Sequence, residues 1–126
     1  MALIPVQDVE SAVTELTRVV KELGMYGAML PSNGEGLKDH FGSQVYWPIY
    51  EEAEKLNCSL AVHGGCHHHL GLDKFGMFYP VGALGHPFGL MIQAAGMLSH
   101  GVFDRFPGLR VGFLEGGGYM GSLFYG

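Results

Sequence analysis

Two short stretches constrain this chain more than any others. One reads Leu60-Ala61-Val62-His63-Gly64-Gly65 and the other Val111-Gly112-Phe113-Leu114-Glu115-Gly116-Gly117-Gly118. In each, a short apolar run ends in one polar group and glycine follows at once. A short apolar run with this punctuation is the pattern of a buried parallel strand. The glycines let backbone or ligand come close to the polar group. Two such strands are expected to bring His63 and Glu115 to a shared site at the C-terminal edge of one sheet.

The rest of the chain alternates strand and helix signals. Residues 3–6 read as the last part of a strand. Asp8 is a plausible N-cap, and Val9, Ala12, Val13, Leu16, Val19, Val20 and Leu23 then recur every three or four residues. This pattern predicts an amphipathic helix closed by Gly24. A strand is expected over 25–30, stopped by Pro31, and a polar loop over 31–43. A second helix is expected over 45–56, with Pro48 in its first turn, and the next strand over 58–62. Residues 64–85 carry no period and read as a long loop. Pro87 suits the N1 position of a third helix over 88–103. A turn with Pro107-Gly108 and a strand over 110–114 complete a β-α-β-α-β-α-β order, the pattern of a parallel sheet.

The composition agrees with a mostly buried sheet: 48% of the 126 residues are hydrophobic, only 15% are charged, and 21 are glycine. That length supports one domain, 1–126, with a real core. The net charge is -5 and no basic patch is visible, so nucleic acid is not an expected partner. Apolar runs are interrupted by Gly, Pro or His, which argues against a membrane span. The first residues lack a basic segment followed by a long apolar one, and two cysteines make no disulfide framework. Both features lead to a cytoplasmic expectation.

The run from Gly101 to Gly117, GVFDRFPGLRVGFLEGG, resembles the signature before and along the sixth barrel strand of amidohydrolase-related, metal-dependent hydrolases. The resemblance is to the branch that includes the aminocarboxymuconate-semialdehyde decarboxylase-like enzymes. His86-Pro87-Phe88-Gly89, Ala61-Val62-His63 and Ile4-Pro5-Val6-Gln7-Asp8 fit the same family, so the likeness runs over roughly residues 3–118. It implies a partial (β/α)8 barrel of four parallel strands and three helices, spanning the third strand to the sixth. A full barrel of this kind takes about 250 residues. The first-strand His-x-His or Glu-x-His metal pair and the late-strand metal-binding Asp have no counterpart here. The chain is therefore expected to be a fragment, incomplete as an enzyme.

By resemblance, His63 occupies the fifth-strand position that binds a divalent metal, expected to be Zn²⁺, which neutral imidazole suits well. Glu115 falls where decarboxylase-like members often carry a catalytic His. It is expected either to orient water and move a proton or to be tied to amides of the glycine turn. Asn33 and His67 are candidate substrate contacts, against the simpler readings of a turn asparagine and a solvated His67-His68-His69 loop. His86 is expected to cap a helix or line the site. His100 is expected to serve a helix C-terminus. Trp47, Tyr50, Phe88, Met91 and Met97 read as core.

The resemblance implies a metal-dependent hydrolase that activates water, or a non-oxidative decarboxylase acting on a small-molecule substrate. A non-catalytic folded fragment, or a small metal-binding module on His63, Cys66 and residues 67–69, is the alternative of another class. Four strands of an open barrel leave two edges unpaired, so homo-oligomer formation through residues 3–6 or 110–114 is expected.

Overall fold

The computed structural model describes residues 1–34, 36–65 and 69–117. Four strands, β1 (Ala2–Leu3), β2 (Gly27–Pro31), β3 (Ser59–His63) and β4 (Arg110–Phe113), form one sheet. They lie in sequence order and every neighbouring pair is parallel. Helix α1 (Val9–Lys21) links β1 to β2, and α2 (Trp47–Lys55) links β2 to β3. Helix α3 (Phe78–Ser99) and the single turn α4 (Val102–Arg105) link β3 to β4. The expected four-strand α/β order is present.

Helix α1 forms as its apolar spacing dictates. Ala12, Leu16 and Val19 are buried on one face, and the Ser11 N–H donates to Asp8 Oδ1 at 2.8 Å as the N-cap requires. Its C-cap is Glu22. Beyond it Gly24 takes φ +64° and the Met25 N–H closes onto the Val19 carbonyl at 3.0 Å. Pro48 sits in the first turn of α2, where its missing N–H costs nothing. The core between helices and sheet contains Leu16, Leu30, Tyr46, Ile49, Tyr50, Leu60 and Val62, all at most 1% exposed.

The two opening stretches differ in depth. Leu60, Ala61 and Val62 are consecutive buried residues, as a strand covered on both faces requires. In β4, Arg110 and Gly112 are exposed and Val111 and Phe113 half-buried, because β4 is the outer strand of the sheet.

Helix α3 departs most from the sequence expectation. It begins at Phe78, so much of the expected 64–85 loop is helical, and Pro87 lies inside it. A proline there removes the bond that its own N–H would give to the Ala83 carbonyl, and Ala83 is exposed, within reach of water. The buried face is Gly85, Gly89, Leu90, Gln93, Ala94, Gly96 and Met97. Phe88 and Ile92, by contrast, face outward at 39% and 48% exposure, so Phe88 is not core. Small residues let the helix lie close. A Cβ on Gly89 would come 2.6 Å from Ser32 Oγ, and one on Gly96 2.7 Å from His40 Nδ1. By length and composition alone, α3, 22 residues long, reaches the size of a membrane span. Here it packs on the sheet and buries Gln93, which makes two hydrogen bonds.

Candidate metal centre at the strand ends

Three side chains converge at the C-terminal edge of the sheet. His63 is the last residue of β3, Glu115 follows β4, and His86 projects from more than two turns inside α3. His86 Nε2 lies 3.1 Å from Glu115 Oε2, and His63 Nε2 lies 3.8 Å from Glu115 Oε1. The two imidazoles meet edge to face, with ring centroids 4.9 Å apart. One donor atom from each residue falls within 4.8 Å of the others.

Each residue is positioned by local structure. Just past β2, the Ser32 N–H donates to the His63 carbonyl at 2.6 Å, carrying the parallel ladder past Pro31. His63 Nδ1 lies 3.1 Å from the Gly64 carbonyl. A carbonyl only accepts, so Nδ1 carries the proton and the Nε2 lone pair faces the cluster. Glu115 adopts φ +63°, a left-handed conformation that costs a non-glycine residue about 1 kcal/mol or more. The Leu114 N–H bond to the Val62 carbonyl, 2.9 Å, anchors that turn to β3. Gly64 is required by packing, because a Cβ there would overlap the His86 ring.

His86 was expected near a helix start, as a cap or a site residue. The structure excludes the cap, because the helix begins well before it, and places the ring beside His63. Its Nε2 is buried and makes no hydrogen bond among the described residues, although a Glu115 oxygen is 3.1 Å away. A buried polar atom in this state is costly unless something else meets it. Two donors each about 2.1 Å from a common Zn²⁺ stand roughly 3.0–3.4 Å apart. The His86–Glu115 separation lies in that range, and the His63–Glu115 distance is a few tenths of an ångström longer. Two imidazoles and a carboxylate also suit a divalent cation chemically. The residues present fit a metal in their chemistry, and one strong ligand candidate in the sequence becomes three donors within 4.8 Å of one another.

Asn33 follows β2 at the same edge, and its Oδ1 accepts the Gly34 N–H at 3.0 Å, the local turn bond of an asparagine. Gly65 lies against the Asn33 carbonyl with no room for a Cβ. His67, with Cys66 and His68, lies outside the described residues. His100 caps α3, with Nδ1 3.0 Å from the Gly96 carbonyl, and its ring packs on His40 with centroids 4.5 Å apart.

Sequence reasoning missed Gln93. Its Nε2 donates to the Ser32 carbonyl at 2.8 Å and its Oε1 accepts the Phe41 N–H at 2.7 Å. It thereby ties α3, which carries His86, to the loop after β2. The available signal was a lone amide in a helix whose only other strongly polar side chain is His86.

A parallel α/β sheet with polar donors gathered at its C-terminal strand ends is the arrangement of a barrel enzyme site. The chain belongs to the amidohydrolase family, whose model matches residues 1–122. It is 33% identical over 115 residues to a 2-amino-3-carboxymuconate-6-semialdehyde decarboxylase of Dictyostelium discoideum, covering 91% of this chain and 31% of that protein. Among solved structures it resembles 2,6-dihydroxybenzoate decarboxylase from Rhizobium, with a TM-score of 0.74 and 26% identity over 94% of this chain and 39% of that one. It also resembles a dihydroxybenzoic acid decarboxylase of Polaromonas bound to manganese and 2-nitroresorcinol, with a TM-score of 0.70 and 25% identity over 87% and 35%. The chain thus spans about a third of the length of these relatives, and its fold is a run of strands and helices from the amidohydrolase barrel.

Proposed function

We propose that this chain supplies part of the active site of a divalent-metal-dependent decarboxylase, a lyase that removes CO₂ from a small carboxylate without oxidation. The observation that carries the reading is the convergence of His63, His86 and Glu115 at the strand ends. The relatives named above, each called a decarboxylase, support this chemistry over hydrolysis.

A bound divalent metal supplies Lewis-acid polarisation of the substrate's carboxylate and neighbouring hydroxyl. His63 is the residue to hold it, through the Nε2 lone pair that its Nδ1–H bond to Gly64 leaves facing the cluster. In the reaction the bond from carbon to the carboxyl group breaks, its electron pair stays on the substrate carbon, and CO₂ leaves. That carbon needs one proton. Glu115, 69% exposed, takes a proton from solvent and delivers it, with the His86 ring 3.1 Å away.

Metal-activated hydrolysis is the second reading. Glu115 favours it to the extent that a carboxylate beside a ligand imidazole is equally placed to accept a proton from water. The test is CO₂ release from 2,6-dihydroxybenzoate with Mn²⁺ or Zn²⁺, set beside cleavage of simple esters and amides. The decarboxylase reading expects CO₂ release that His63→Ala abolishes. Ester or amide cleavage without CO₂ release would transfer the assignment to hydrolysis.

A further inference from the structure

We infer that His86 is a metal donor, so that His63, His86 and Glu115 make a divalent-cation site carried entirely by this chain. The inference rests on the metal-dependent reading above and adds to it a helix-borne ligand. Barrel sites of this class draw their polar groups from strand ends, whereas His86 lies inside α3.

Three observations carry it. Among the described residues, the buried His86 Nε2 has no hydrogen-bond partner, yet it faces Glu115 Oε2 at 3.1 Å. A cation between the two would meet both donor atoms. Second, the ring's place is built. Gly64 clears the space that the imidazole fills, and Gly89, three residues further along α3, lets the helix settle against Ser32. Third, Gln93 fastens the same helix to the loop after β2 through two buried hydrogen bonds. A donor held by packing and by outer hydrogen bonds is pre-organised, which is what a tight metal site needs.

The carboxylate serves both this site and the proposed chemistry. Glu115 presents Oε1 towards His63 and Oε2 towards His86. Ligation through one oxygen leaves the other to accept or pass a proton.

Titrating the purified chain with Co²⁺ and following its visible absorption tests this without turnover. The wild-type chain should take up one equivalent. His86→Ala and the polar, similarly shaped His86→Gln should each weaken uptake by about 10-fold or more, with the far-UV circular dichroism of His86→Gln unchanged. If both variants bind within about twofold of wild type, His86 is not a ligand. Should His63→Ala alone then lose the ion, the metal-dependent reading stands without this inference. Failure of the wild-type chain to take up Co²⁺ would also overturn it. The CO₂ assay remains the separate test of the reaction.

Discussion

Gly64 and the ring of His86 occupy adjoining space so closely that a single Cβ on Gly64 would overlap the imidazole. The glycine directly after His63 is therefore a packing requirement of a second histidine, 22 positions further along the chain. Gly64→Ala should push His86 off Glu115 and destabilise the fold by about 1–3 kcal/mol, the usual cost of overpacking. Cation affinity should fall with it although all three donors remain. Denaturant unfolding and a Co²⁺ titration on the same variant would check both effects.

Gln93 offers a test of how the site is held. Replacing it with leucine leaves the Phe41 N–H and the Ser32 carbonyl without their partners in a buried setting. Each such loss costs roughly 1–3 kcal/mol, so Gln93→Leu should lower stability by about 2–6 kcal/mol. A urea midpoint that falls with an unchanged slope would match this account. An unshifted midpoint would show that the bridge contributes nothing.

Acid stability should report two exposed carboxylates. The Ser11 backbone N–H, foremost, holds the Asp8 carboxyl below its ordinary value, and the His40 N–H does the same for Asp39. A group whose folded value is depressed stabilises the fold above its unfolded value, near 4 for Asp. That contribution disappears as pH falls through the lower folded value. Stability should therefore decline below about pH 4, and Asp8→Ala should flatten the slope by removing one such group. Melting temperatures of both proteins measured from pH 6 to pH 2 would check it.

How far the sequence could be read depended on what each element buries. Helix α1 was legible because its packing face is the apolar stripe Ala12, Leu16 and Val19. Strand β3 was legible because three adjacent residues are buried. Helix α3 was not, because its buried face mixes three glycines and a glutamine with Leu90, Ala94 and Met97, while Phe78, Tyr79, Phe88 and Ile92 point away. Hydrophobic periodicity is uninformative when close approach, rather than side-chain bulk, makes the contact. Pro87 then suggested a helix start in the middle of a helix. The site followed the same division. His63 and Glu115 could be read from strand endings, but the role of His86 depended on a helix boundary that the sequence misplaced.

Among the described residues both outer strands leave one edge open, since β1 pairs only with β2 and β4 only with β3. Leu3 on β1 is 78% exposed, and a groove along Leu3, Pro5, Gln7 and Asp8 flanks it. We propose that the chain, purified as it stands, associates with further copies through these edges. Sedimentation velocity should show a dimer or larger species, and a compact monomer at high concentration would contradict it.

The account depends most on the strand-end cluster being a metal centre. Elemental analysis of the purified chain beside its His63→Ala variant tests that directly. About one equivalent of zinc or manganese is expected in the wild-type protein, and little in the variant. A wild-type chain without metal after incubation with either ion, or a variant that retains its full content, would contradict it.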